Sequence, residues 1–156
     1  MYKRQSLNIP QKSVYSIGLE KKNNWFVGVQ YEDKLSSSFE NRFLDIKNVS
    51  YRDSKVLSFG GYLIPDATSL TSYWKRVKYR FGIKNEEKSI IVNNLPVNHF
   101  ILNLGLGLPL SGLSKANVGL EFGKIGNDKN PIEESYIAMR LGLSLNDVWF
   151  IKRKYN

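Results

Sequence analysis

At 156 residues the chain is long enough for one domain with its own core and too short to expect two, so residues 1–156 read as a single domain. The absence of cysteine and the single histidine exclude disulfides, thiol nucleophiles and most zinc constellations, and no metal or cofactor is expected. A formal charge of +9 is compatible with nucleic acid, anionic lipid or simple solubility, but the cations are not gathered into one arm or helix, which weighs against nucleic acid.

Residues 1–10 carry Lys3 and Arg4 but no apolar stretch and no small-residue cleavage site, so they do not read as a signal peptide. Residues 13–20 alternate, with Tyr15, Ile17 and Leu19 facing one way and Ser16 and Gly18 the other. A polar turn at residues 21–24 leads to a second strand, in which Trp25, Val27, Val29 and Tyr31 oppose Gly28 and Gln30. The pair forms a predicted hairpin. Residues 33–53 show no sustained period and are expected to be an external loop. Alternation returns over residues 55–64, where Leu57, Phe59 and Leu63 oppose Ser58, Gly60 and Tyr62, and Pro65 ends it.

Residues 73–84 predict a strand with Val77, Tyr79, Phe81 and Ile83 on one face and Arg76, Lys78, Arg80 and Gly82 on the other. Three successive cations on one strand face need water, anions or acidic partners. Residues 85–98 read as a second long polar connection, with His99 a solvated residue at the entrance of the next strand. Three alternating segments close the chain. In the first, Phe100, Leu102, Leu104, Leu106 and Leu108 oppose Asn103, Gly105 and Gly107, and only Ile101 breaks the rule. In the second, Ala116, Val118, Leu120 and Phe122 oppose Asn117, Gly119, Glu121 and Gly123. In the third, Ile137, Met139, Leu141, Leu143 and Leu145 oppose Tyr136, Ala138, Arg140, Gly142 and Ser144. A helix would group apolar residues three and four apart, so period two argues for strands.

These runs reach about ten residues, against about five or six in most soluble strands and the roughly nine to eleven needed to cross a bilayer. The faces opposite the apolar ones carry glycine, asparagine and serine with isolated charges, as a lumen wall does. No run approaches the roughly 18 apolar residues of a membrane helix. The expected fold is therefore all-β, an antiparallel transmembrane β-barrel of which about seven strands are present, in the cell outer membrane. All five prolines fall at segment boundaries, as a sheet requires. Trp25, Trp74 and Trp149 fall at one end of the strands and are candidate membrane-interface aromatics.

The candidate lumen-lining or ligand-facing residues are Arg76, Lys78, Arg80, Glu121 and Arg140. The cations could draw a carboxylate-bearing ligand or pair with acids on neighbouring strands, and Glu121 with Arg140 is a candidate pair across its hairpin. Gly105, Gly107 and Gly112 do not make a dinucleotide loop, because the third glycine of that fingerprint would fall at Leu110. No acid pair or nucleophile motif stands out, so no enzyme is expected.

The run Leu104-Gly-Leu-Gly-Leu-Pro-Leu, the run Asn117-Val-Gly-Leu-Glu-Phe-Gly-Lys and the closing Leu141-Gly-Leu-Ser-Leu-Asn-Asp-Val-Trp-Phe resemble the C-terminal part of the FadL/TodX outer-membrane transport family. Ser58-Phe-Gly-Gly-Tyr-Leu-Ile-Pro and Ser72-Tyr-Trp-Lys-Arg-Val-Lys-Tyr-Arg look similar to that group as well. The resemblance implies a large barrel that passes hydrophobic compounds such as fatty acids, with the lipid bilayer as its surroundings and this chain as the C-terminal segment. Seven strands cannot enclose a lumen, so missing strands or partner chains are implied. The alternatives are a structural barrel subunit of an outer-membrane or secretion complex, and a soluble basic β-protein that binds nucleic acid.

Overall fold

The computed structural model describes residues 11–36, 49–92, 95–110, 114–126 and 133–145. The strands in chain order are β1 (Lys12–Lys21), β2 (Trp25–Lys34), β3 (Val49–Tyr51), β4 (Ser54–Leu63), β5 (Lys78–Val92), β6 (Leu95–Pro109), β7 (Lys115–Ile125) and β8 (Glu134–Ser144). Seven of them form one antiparallel meander, β1-β2-β4-β5-β6-β7-β8, and the short β3 lies against the far end of β5. Among the described residues β1 pairs only with β2 and β8 only with β7, so the sheet is open and does not close into the expected barrel.

Period-two sequence restricts the register, because a slip of one residue would move every apolar side chain to the other face. One row of partners runs Ile17, Val29, Phe59, Ile83, Leu102, Phe122 and Ile137 across all seven strands. The next row, on the opposite face, runs Gly18, Gly28, Gly60, Gly82, Asn103, Glu121 and Ala138. The β1–β2 turn is a three-residue loop in which Asn24 N–H donates to the Lys21 carbonyl and Asn23 takes a left-handed φ of 61°. Asparagine is among the few residues that tolerate that conformation.

Three sequence expectations are corrected here. Residues 73–77 are not strand: Tyr73–Arg76 is a single 3-10 turn, and Val77 behind it is fully buried. The turn is held by the Asp66 N–H on the Lys75 carbonyl and the Val77 N–H on the Trp74 carbonyl. The alternation of Arg76, Val77 and Lys78 copies strand parity, but burial of Val77 decides the conformation. Residues 85–98 are largely strand, not a polar connection, since β5 continues to Val92 and β6 begins at Leu95. Their charges satisfy one another there: Glu86 takes Lys84 at 2.9 Å and Lys88 at 3.4 Å, and Glu87 takes Arg52 at 2.8 Å. Within the expected loop of residues 33–53, β2 runs on to Lys34 and Val49–Tyr51 forms β3.

Burial is inverted relative to a soluble sheet. Val56 and Ile101 are buried, yet they stand on the polar face, in register with Glu86 and Lys84. Ile101, the residue that breaks the alternation, thus joins Val97 in filling the polar side of β6.

Candidate functional site

Neighbouring strands lie about 4.8 Å apart, so a side chain that bonds to the next strand but one must lie flat over the strand between. The polar face does this three times. Tyr62 Oη donates to Glu20 Oε1 at 2.7 Å across β2, Arg80 Nη1 donates to Asn117 Oδ1 at 2.9 Å across β6, and His99 Nε2 meets Tyr136 Oη at 3.1 Å across β7. Glycine or a flat ring lies beneath each bridge. A Cβ at Gly107 would stand 3.0 Å from Arg80 Nη2, and one at Gly123 would overlap the Tyr136 ring. On β2 the Phe26 ring covers Gly18 and Gly28 and stacks on Tyr62, with centroids 6.0 Å apart.

The bridge from His99 extends into a network over β6 to β8. Tyr136 Oη gives its proton to Glu121 Oε1 at 3.0 Å, so His99 Nε2 is the donor to Tyr136 and the histidine tautomer is fixed. The other oxygen of Glu121 accepts from Arg140 Nη2 at 3.0 Å. His99 Nδ1 is buried without a hydrogen-bond partner and lies 3.9 Å from Glu86 Oε2. At the other end of the face, Lys78 Nζ sits 3.8 Å from the Tyr62 ring centroid, a cation–π contact. An open groove of about 380 Å³ runs along this face between Arg80, Asn103, Glu121 and Arg140.

Of the residues expected to share a wall, Lys78, Arg80, Glu121 and Arg140 do lie on one face, and Glu121 pairs with Arg140. Arg76 does not belong with them. It sits in the 3-10 turn, exposed, with its guanidinium carbon 5.6 Å from the Tyr73 ring centroid. His99 is likewise not a loop residue: it is buried within β6 and bonded to Tyr136. Sequence reading placed Tyr62 and Tyr136 on the polar side of their strands without naming them as site residues, and it missed Glu86 and His99 as members of the face. The available signal was glycine at polar-face positions of a strand flanked on both sides by long polar or aromatic residues. Trp25 and Trp74 stand at the same end of the sheet, at the start of β2 and in the β4–β5 connection, and Trp149 lies outside the described residues.

The opposite face is apolar over the middle of the sheet and, among the described residues, uncovered; charges stand on it toward the end that carries Asp33, Lys55, Glu87 and Lys124. On the edge strands Ile17 and Leu141 are 76% and 71% exposed, and in mid-sheet Phe59 and Leu120 are still 41% and 40% exposed. Soluble monomers rarely expose contiguous apolar patches larger than a few hundred Å². A sheet with an apolar outer belt and a hydrogen-bonded small-residue inner face has the construction of a β-barrel wall.

These features define the class: an all-β protein built as one antiparallel, two-faced sheet. The chain belongs to the BamG family, whose profile matches residues 1–156. No curated protein and no solved structure gives a significant match. The family is one associated with the outer membrane, in keeping with the expected localisation.

Membership corrects the resemblance to the FadL/TodX transporters, which are a different family. The passage of fatty acids and other hydrophobic compounds rested on that resemblance and is withdrawn with it. The cause is physical. Runs such as Leu-Gly-Leu-Gly are what any strand needs when one face is apolar and the other must let side chains lie flat, so they identify a type of wall and not a family.

Proposed function

We propose that this chain is a structural β-sheet subunit of an outer-membrane protein-assembly complex, working alongside other Bam-complex proteins. The observation that carries this reading is the family match over the whole of residues 1–156. The open sheet supports it: among the described residues the apolar face is uncovered and the first and last strands each have one unpaired edge, which call for further chain or other molecules to complete them. The engagement of the polar-face cations with one another's neighbours supports it too. Arg140 is held by Glu121, Arg80 by Asn117 and Lys78 by the Tyr62 ring, which suits a rigid wall better than a route for cargo. In this reading the chain performs no catalysis and binds no nucleic acid. Its apolar face lies toward lipid and its polar face toward the inside of the assembled wall.

Affinity purification of the tagged chain from detergent-extracted outer membranes is the test, combined with depletion of the chain in cells. Bam-complex proteins should co-purify in stoichiometric amounts, and depletion should lower the level of several unrelated outer-membrane barrels together. A chain that purifies alone, with outer-membrane protein levels unchanged on depletion, overturns the reading.

A further inference from the structure

Six successive antiparallel pairings separate β1 from β8, so the two outer strands run in the same direction. Direct closure of β1 on β8 would therefore make a parallel pair, whereas antiparallel closure takes an odd number of further strands. Two copies inserted the same way into one membrane meet the same obstacle, because β8 of one would face β1 of the other in parallel. Bacterial outer-membrane barrels are antiparallel with even strand numbers. Among the described residues the seven-stranded meander is short of antiparallel closure by an odd count, which neither its own closure nor a second copy of it supplies.

The two edges differ in how they are guarded. Natural edge strands that must stay unpaired carry lysine, proline, bulges or inward-pointing charges. The strand β1 has Lys12 and Lys21 at its two ends, Lys12 paired with Glu32 of β2 at 2.8 Å. The strand β8 has no lysine, no proline and no register shift over its eleven residues, and its one inward-pointing cation, Arg140, is neutralised by Glu121 at 3.0 Å. Its apolar side chains Ile137, Met139, Leu141 and Leu143 are among the most exposed of the belt, because each has a neighbouring strand on one side only.

We infer that the outer edge of β8 is a docking edge for an antiparallel, membrane-type β-strand of a second outer-membrane protein. This rests on the proposed role as an assembly-complex subunit and names the contact through which it is made. The partner strand carries apolar residues beside Ile137, Met139, Leu141 and Leu143, extending the belt. On the other face it needs small residues beside Ala138 and Gly142, continuing the inner wall.

The test uses the assembled complex in native outer membranes. A photoreactive benzophenone side chain is placed at Ala138 or Met139 on β8, and at Phe59 in mid-sheet as the control flanked by two strands of its own chain. An adduct with one distinct outer-membrane protein from both β8 positions, and none from Phe59, supports the inference. An adduct within one chain, an adduct between two copies, or an intact complex with no β8 adduct overturns it while leaving the proposed function standing. Failure of the unaltered chain to co-purify with any Bam-complex protein removes the proposed function and this inference together. Proline placed singly at residues 138–141 gives a second reading. Release of the partner should alternate with period two, because only every other N–H points away from β7, and equal effects at all four positions overturn the inference.

Discussion

Replacing Gly123 with alanine tests whether glycine lets the polar face be tied together two strands at a time. The new Cβ would fall inside the Tyr136 ring, which stands over Gly123 on the neighbouring β8. The clash is with the far part of a movable side chain and not with backbone, so the ring swings away and the sheet itself is not deformed. Two interactions go with it: the 3.0 Å bond to the Glu121 carboxylate and the 3.1 Å bond from His99. A hydrogen bond to a charged group is worth about 1.5–3 kcal/mol and a neutral one about 0.5–1.5. The gain from replacing glycine in a strand offsets about 0.5–1 kcal/mol. Gly123→Ala should therefore cost about 1–4 kcal/mol. The assay is urea unfolding of the chain refolded in detergent micelles, followed by tryptophan fluorescence. The same substitution in a Tyr136→Phe background should cost close to nothing, because the hydroxyl it displaces is already gone. An equal loss in both backgrounds would show that Gly123 acts by some route other than the Tyr136 hydroxyl and refute the bridging argument.

Phe59 and Ser58 are sequence neighbours on opposite faces, so Phe59→Lys should cost about 2–4 kcal/mol in the membrane and Ser58→Lys about 1 kcal/mol or less. The membrane-retained fraction after carbonate extraction measures this, and equal losses would remove the lipid-facing assignment. Glycines of one sheet should also divide by what lies over them. Gly61→Ala meets the backbone carbonyl of Phe26 and should cost about 3 kcal/mol or more. Gly82→Ala meets nothing nearer than 3.8 Å and should stabilise by about 0.5 kcal/mol in the same urea titration. In the β4–β5 connection, hydrogen bonds from the Thr68 hydroxyl and then the Thr68 N–H hold the Asp66 carboxyl below its usual range. A depressed folded-state pKa stabilises the turn above the unfolded value, and that contribution is lost as pH falls through the folded one. Carboxyl NMR titration should show the Asp66 pKa rising back toward the ordinary value in Thr68→Ala, and an unchanged titration would rule out the hydroxyl as the cause.

The period of two in this chain was sufficient to give most of the strands and their two faces, and it restricts their register to pairings that keep the apolar stripes on one side. The row from Ile17 to Ile137 is one such pairing, and the sheet selects it. Composition alone misjudged residues 85–98, because Glu86 and Glu87 are polar whether they stand in water or pair, Glu86 with Lys84 and Lys88 on its own strand and Glu87 with Arg52. It also misjudged Arg76, because alternation is a local property and the burial of Val77 is not. The bridges from Tyr62 to Glu20, Arg80 to Asn117 and His99 to Tyr136 join residues 42, 37 and 37 positions apart, and they depend on which strand lies between them. Only the tertiary arrangement decides that, as it decides the parallel course of β1 and β8. The reason is that a strand's own sequence encodes which way its side chains point, while the spacing of strands and the parity of their number belong to the whole sheet.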